Sequence, residues 1–312
     1  MKMTTMKSLM AVAAFALASG NITQATEKDF NGDGYSDLVW ENIVTGQRGF
    51  WFMHNGTATG YGWVRDQNGQ TVSPPSAEWH IVGVTDFLGD GNADLVWQNS
   101  VTDQTEVWFL KNGVLSSKQS MNTTSWKLAA VGQSWESPNG GYGPAFFHIV
   151  DFIWVAGDGS LWVEYIKDGL NGGSFYPIHA PIDGPNDPIA GGFLQPGWHI
   201  DGDFANPAFF GNQSDQNGIV LENTYGKIAF GNIEPESSPN YSSATVSTSI
   251  KLPTGWHIAG TGDFNGDGST DLALENPTTG QCVVWMLDSA HQTVTAGYWL
   301  PTQSTQWRIV NH

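Results

Sequence analysis

Short apolar runs, each bounded by glycine, asparagine and aspartate, recur from residue 29 to the end of the chain. Residues 79–121 give the pattern in full. Trp79-His80-Ile81-Val82-Gly83 is followed by an acidic stretch and then by Asp94-Leu95-Val96-Trp97-Gln98-Asn99. A turn at 100–104 leads to Glu106-Val107-Trp108-Phe109-Leu110, and Lys111-Asn112-Gly113 turns the chain into a more polar run at 114–121. β-Branched and aromatic runs between such turn clusters predict consecutive antiparallel strands, four to a unit.

The unit repeats. Trp-x-Ile or Trp-x-Leu occurs at Trp79, Trp126, Trp198, Trp256 and Trp307; the 228 residues from first to last, over four steps, average 57, and Asp29 to Asp86 is again 57. Four strands repeated around an axis predict an all-β fold, a single β-propeller of five four-stranded blades. A solenoid of similar sheets is the alternative. The ends favour the circle, because the first repeat lacks the Trp-x-Ile strand and no repeat follows Trp307-Arg308-Ile309-Val310. The C-terminal strand is therefore expected to complete the N-terminal blade, removing the sheet edges that an open array exposes.

An acidic turn precedes the second strand of some repeats. It is complete as Asp29-Phe30-Asn31-Gly32-Asp33-Gly34-Tyr35-Ser36-Asp37 and as Asp263-Phe264-Asn265-Gly266-Asp267-Gly268-Ser269-Thr270-Asp271. Oxygen side chains at positions 1, 3, 5 and 9, with glycines for the tight turn, suit a hard cation such as Ca2+. The expected ligands are Asp29, Asn31, Asp33, Asp37 and the Tyr35 carbonyl in one turn, and Asp263, Asn265, Asp267, Asp271 and the Ser269 carbonyl in the other. A worn copy at 86–94 has Leu88 at position 3 and keeps Asp86, Asp90, Asp94 and the Asn92 carbonyl, an incomplete set that leaves a third site open. An EF-hand needs a bidentate Glu at position 12, where Trp40 and Leu274 stand, so the turn must connect strands. Extracellular calcium modules bind at about 0.1–1 mM, which suits a folding staple.

These turns and their spacing resemble the calcium turns of VCBS/FG-GAP-type repeats, a family of β-propeller repeats found in secreted bacterial proteins and related to the propeller of integrin α chains. The resemblance implies calcium in the turns and a propeller, usually of seven blades; the count of five comes from this chain. The literal Phe-Gly and Gly-Ala-Pro elements are missing, so integrin-like partner binding does not carry over.

Repeats three and four keep strands but lose the turn. Asp151-Phe152-Ile153-Trp154 and Asn217-Gly218-Ile219-Val220 hold the second-strand place, while irregular stretches fill 133–143, 168–196, 203–215 and 232–249. Long loops on a rigid scaffold are where binding residues collect. Aromatic rings near them can stack on sugars, and Trp135, Tyr142, Phe175 and Tyr176 are the candidate ligand residues. Trp51, Trp108, Trp162 and Trp285 recur in the third strand and are expected between blades. His80, His199 and His257 recur after the strand tryptophan, which argues for packing or hydrogen bonding rather than for zinc or a general base.

Composition narrows the function. Thirty acids against twelve bases give a net charge of −18, which disfavours nucleic acid and anionic membranes. Residues 1–25 read as a secretory signal: Lys2 and Lys7 precede an apolar run at 9–18, with small-residue cleavage sites after Ala18 or Ala25. That leaves 26–312 as the propeller domain, secreted, periplasmic or at the cell surface, with no membrane-inserted segment. The single cysteine, Cys282, lies in a strand pattern and reads as a small buried residue. No nucleophile elbow, phosphate loop or zinc helix motif is present. The expected function is a secreted, calcium-stabilised binding or adhesion module for glycan or protein surfaces. A self-associating extracellular subunit and a polysaccharide-active enzyme with a carboxylate pair are the alternatives.

Overall fold

The computed structural model describes residues 28–311 apart from 75, 122–123, 137–146, 168–173, 179–187, 206–216, 234–242 and 292. Blade one holds β1 (Leu38–Asn42), β2 (Arg48–His54) and β3 (Thr57–Trp63), and blade two holds β4 (Trp79–Thr85), β5 (Asp94–Asn99), β6 (Thr105–Lys111) and β7 (Val114–Ser120). Blade three comprises β8 (Lys127–Glu136), β9 (Phe147–Val155), β10 (Leu161–Lys167) and β11 (Ser174–Pro177), followed by a short ribbon of β12 (Ile189–Ala190) and β13 (Phe193–Leu194). Blade four has β14 (Trp198–Ala205), β15 (Asn217–Asn223), β16 (Lys227–Ile233) and β17 (Ser243–Lys251). Blade five has β18 (His257–Gly262), β19 (Asp271–Asn276), β20 (Gln281–Leu287) and β21 (Val294–Trp299). The last strand, β22 (Trp307–Ile309), pairs with β1 with Trp40 opposite Ile309, and so completes blade one. The fold is a five-bladed β-propeller closed as the repeat pattern predicts.

The Trp-x-Ile strands are the innermost of each blade: β4 touches β8, β8 touches β14, β14 touches β18 and β18 touches β22. Each of the first four slips register after its second apolar residue, between Ile81 and Gly83, Leu128 and Ala130, Ile200 and Gly202, and Ile258 and Gly260. This recurring bulge bends the strand around the axis. The glycine after it answers to crowding, since a Cβ on Gly83 would collide with the Val131 side chain and one on Gly260 with Asn311.

Every residue of β1 and β5 is buried, because each blade is covered on both faces by its neighbours. Alternate residues serve opposite seams. Val39 joins Leu95, Trp97 and Trp108 towards blade two, while Leu38 and Trp40 join Phe264, Cys282, Val284 and Met286 towards blade five. Full burial of each such side chain contributes about 1.5–3 kcal/mol. Cys282 is buried as expected, and burial pushes its thiol up to about 12.

The second strand also stitches blades together. Gln98, Glu222 and Glu275 accept the main-chain N–H of Leu128, Ile258 and Ile309 on the next inner strand, at 3.1, 2.9 and 2.9 Å. The asparagine that follows in blades one, two, four and five caps the hairpin, as when Asn99 Oδ1 accepts the N–H groups of Val101 and Thr102.

Trp162 packs in the seam between blades two and three as expected, stacked on Trp126 at 5.2 Å, but its place in the repeat differs. Trp51, Trp108 and Trp285 stand opposite Leu38, Leu95 and Leu272, but Trp162 stands opposite Trp154, two places out of step. The equivalent place belongs to Glu164, opposite Phe152, whose carboxylate accepts the Trp154 indole N–H at 3.0 Å.

Candidate functional site

The three acidic turns have one backbone conformation. Both glycines of each turn lie in the left-handed region, with φ of 77° and 89° at Gly32 and Gly34, 66° and 81° at Gly89 and Gly91, and 74° and 83° at Gly266 and Gly268. That curl aims successive N–H groups at the first aspartate. Asp29 Oδ1 accepts from Gly32 at 2.6 Å and Oδ2 from Gly34 at 2.8 Å. Asp263 accepts from Gly266 and Gly268 at 2.7 and 2.9 Å, and Asp86 from Gly91 at 2.7 Å. Asn31 and Asp33 hold the turn with their own Asx bonds to Asp33 N–H and Tyr35 N–H, as do Asn265 and Asp267 to Asp267 N–H and Ser269 N–H.

The ninth residue has a second task that sequence reasoning missed. Asp37, Asp94 and Asp271 are buried, and each carboxylate bridges two main-chain N–H groups. Oδ2 accepts from Phe30, Phe87 or Phe264 in the turn, and Oδ1 from Met53, Leu110 or Leu287 on the third strand, all at 2.8–3.2 Å. Burial pushes all three carboxyls up to about 8. The main-chain bonds pull them down, and the negative charges at positions 1 and 5 push them further up.

Among the described residues, no lysine or arginine pairs with Asp29, Asp33, Asp37, Asp263, Asp267 or Asp271. Oxygen side chains at positions 1, 3 and 5 on a fixed glycine curl, facing a buried carboxylate with no cationic partner of its own, fit a hard divalent cation. The residues of blades one and five therefore suit Ca2+. In blade two, Leu88 is 48% exposed where the third oxygen should be. Asn92 there spends its side chain on the next hairpin, its Oδ1 accepting Asn112 N–H at 3.0 Å.

The candidate aromatic residues separate. Phe175 packs edge-on against Trp126, with ring centroids 5.7 Å apart, in the seam between blades two and three. Trp135 and Tyr176 take backbone places opposite His148 and Val163, and Tyr142 lies outside the described residues. Instead, an aromatic cleft of about 200 Å³ opens on blade one, where β3 meets the chain leading into β22. Its walls are Trp51, Tyr61, Trp63 and Trp307, with Gln303 at the rim and Trp40 behind. Trp40 and Trp51 rings lie 4.6 Å apart, and Trp63 and Trp307 rings 5.9 Å apart. Tyr61 is 73% exposed, and the buried Trp40 indole N–H has no acceptor among the described residues.

The corresponding place in blade two is closed. Lys118 Nζ sits 3.6 Å over the Trp108 ring and the Arg48 guanidinium 4.9 Å over Trp97. Lys118 is the cross-strand partner of Trp108, as Tyr61 is of Trp51, so one substitution in the outer strand decides whether the cleft is roofed. Compared with protein-family models and with curated proteins, the chain matches none.

Proposed function

We propose that this chain is an exported, calcium-stapled propeller that binds saccharides through the aromatic cleft of blade one. The cleft carries the reading. Aromatic faces offer an apolar surface for the C–H face of a sugar ring, while the Gln303 amide at the rim supplies hydroxyl contacts. Its volume is below the roughly 300–1,000 Å³ of drug-sized pockets, which suits a single ring or the end of a glycan rather than an enclosed oligosaccharide. Calcium in the turns of blades one and five serves the scaffold, and the amino-terminal leader accounts for exposure to calcium outside the cell. The VCBS/FG-GAP-like turns agree with that setting.

A glycan panel probed in Ca2+ tests the reading. Binding that disappears in Trp63→Ala and Tyr61→Ala, both with unchanged melting behaviour, is the expected result. No glycan bound by the wild type, or binding indifferent to both variants, would remove the cleft from the account.

A further inference from the structure

Each seam between blades has three repeat positions near the start of the inner strand: the residue after the tryptophan, the bulge residue, and the second-strand residue paired across from the first. They read Arg308, Val310 and Glu41 in blade one and His80, Val82 and Gln98 in blade two. In blade three they are Lys127, Ala129 and Val155, and in blade five His257, Ala259 and Glu275. Blade four alone reads His199, Asp201 and Glu222.

Elsewhere charge is balanced at this place. Arg48 pairs with Glu41 at 2.8 Å and Arg308 with Glu275 at 3.2 Å, while Gln98 is neutral and Val155 apolar. In blade four a second carboxylate, Asp201, takes a bulge position that is valine or alanine in every other blade. Both Asp201 and Glu222 are 5% exposed. The groups acting on Glu222 are Asp201, His199 and His257 of blade five, two imidazoles rather than an arginine or lysine. Burying two carboxylates side by side is costly unless a cation meets them.

The geometry offers a place for one. His199 Nε2 lies 3.2 Å from Asp201 Oδ1 and 3.9 Å from Glu222 Oε2, and one ligand atom from each residue falls within 4.8 Å of the others. Two ligands on a tetrahedral ion with bonds of about 2.0–2.2 Å stand about 3.3–3.6 Å apart. The set is held on two paired strands and the bulge, and the Ile258 N–H fixes Glu222 Oε2 at 2.9 Å, the kind of outer support that orients metal ligands.

We propose that His199, Asp201 and Glu222 form a site for one borderline divalent cation of the zinc class, distinct from the acidic turns. Imidazole with two carboxylates is zinc chemistry, whereas calcium asks for six to eight oxygens. The cluster lies at the start of β14, while the acidic turns follow the opposite ends of the inner strands, so the two kinds of site load independently. The repeating Trp-His-Ile motif hides it: the histidine is common to three blades, and only Asp201 converts the place into a ligand set.

Chelator-stripped full-length protein in excess Ca2+, titrated with Co2+ and then Zn2+, provides the test. One Co2+ per chain with the visible bands of low-coordinate, imidazole-ligated cobalt, displaced by Zn2+, is expected. Asp201→Ala restores the residue of blades three and five, and His199→Lys that of blade three; each should melt like the wild type in chelator and bind Zn2+ at least tenfold more weakly. A simple His199–Asp201 ion pair would give no cobalt spectrum in the wild type. That result, or Zn2+ affinity unchanged in both variants, overturns the proposal.

Discussion

Ser36 and Asp263 stand 227 residues apart in sequence and exchange two hydrogen bonds across the closure of the ring. Ser36 N–H donates to the Asp263 carbonyl at 2.9 Å, and Asp263 N–H donates to Ser36 Oγ at 3.0 Å. Ala93 N–H reaches the Asp29 carbonyl in the same way at 3.4 Å. The acidic turns of blades five, one and two therefore form a chain of contacts on one face of the propeller, and the first two lie on either side of the closure.

Calcium should accordingly stabilise the closed ring. For sites of about 0.1–1 mM, about 10 mM Ca2+ contributes about 1.4–2.7 kcal/mol each. Thermal melts should rise with Ca2+ and fall with EDTA. Asp33→Ala and Asp267→Ala, which remove exposed oxygens, should each lose roughly half the calcium-dependent shift while leaving the EDTA midpoint nearly unchanged. A midpoint insensitive to Ca2+ in the wild type would dismiss the metal role.

The ninth turn residue should matter even without metal. Asp94 belongs to the incomplete turn, yet its carboxylate satisfies the buried N–H groups of Phe87 and Leu110. Asp94→Ala orphans both, at about 1–3 kcal/mol apiece. Urea unfolding in EDTA should show a loss of several kcal/mol, far larger than for Asp90→Ala, whose side chain is exposed. Equal small losses for the two variants would contradict the bridging role.

Much of this architecture was legible because it rests on periodic burial. Second strands such as Leu38-Val39-Trp40 are apolar throughout since both their faces are covered, and the missing first strand of blade one pointed to β22. What could not be read depends on neighbours distant in sequence. The two-place slip of Trp162 follows from a differently registered hairpin, and the openness of the cleft at Trp51 turns on Tyr61 standing where blade two has Lys118. The bulge that brings Asp201 beside His199 is marked only by the small residue after it, Gly83, Ala130, Gly202 or Gly260, which by itself does not show a register slip. The turn glycines and acids showed where a cation fits, while the double hydrogen bond of Asp37 needed the third strand to be in place.

The axis holds a buried cross-link of its own. Lys28 is 2% exposed, and its ammonium donates to Asp203 at 2.7 Å, Thr261 Oγ1 at 3.0 Å and the Asn311 carbonyl at 3.1 Å, joining blades four, five and one. Lys28→Met strands the Asp203 carboxylate and should cost about 3–5 kcal/mol. Blades two and three carry Val84 and Val131 at the place of Asp203, so Lys28→Met with Asp203→Val should recover most of that loss. Chemical denaturation of the single and double variants decides it; a double variant no more stable than Lys28→Met would mean that the ammonium has a different role.

Acid should weaken the seam between blades four and five through His291. Its imidazole is fully buried, with its ring 4.6 Å from that of Phe230. Burial pushes its pKa down from 6.5 to about 4, against the opposing pull of Asp288, the Thr270 main chain and Asp267. The unfolded chain takes up this proton near pH 6.5 and the folded chain only near 4, so the unfolded state binds more protons in between. The histidine's contribution is complete above pH 6.5 and is lost as pH falls towards 4, by about 2 kcal/mol between pH 7 and 5. Asp37, Asp94 and Asp271, raised to about 8, act in the opposite sense, so the effect must be read as a difference between variants. His291 has a φ of 52°, which asparagine tolerates, making His291→Asn the suitable control. Urea midpoints of wild type and His291→Asn should converge, or cross in the variant's favour, on going from pH 7 to 5. A gap between them that stays constant over that range would show that His291 takes no part in the acid response.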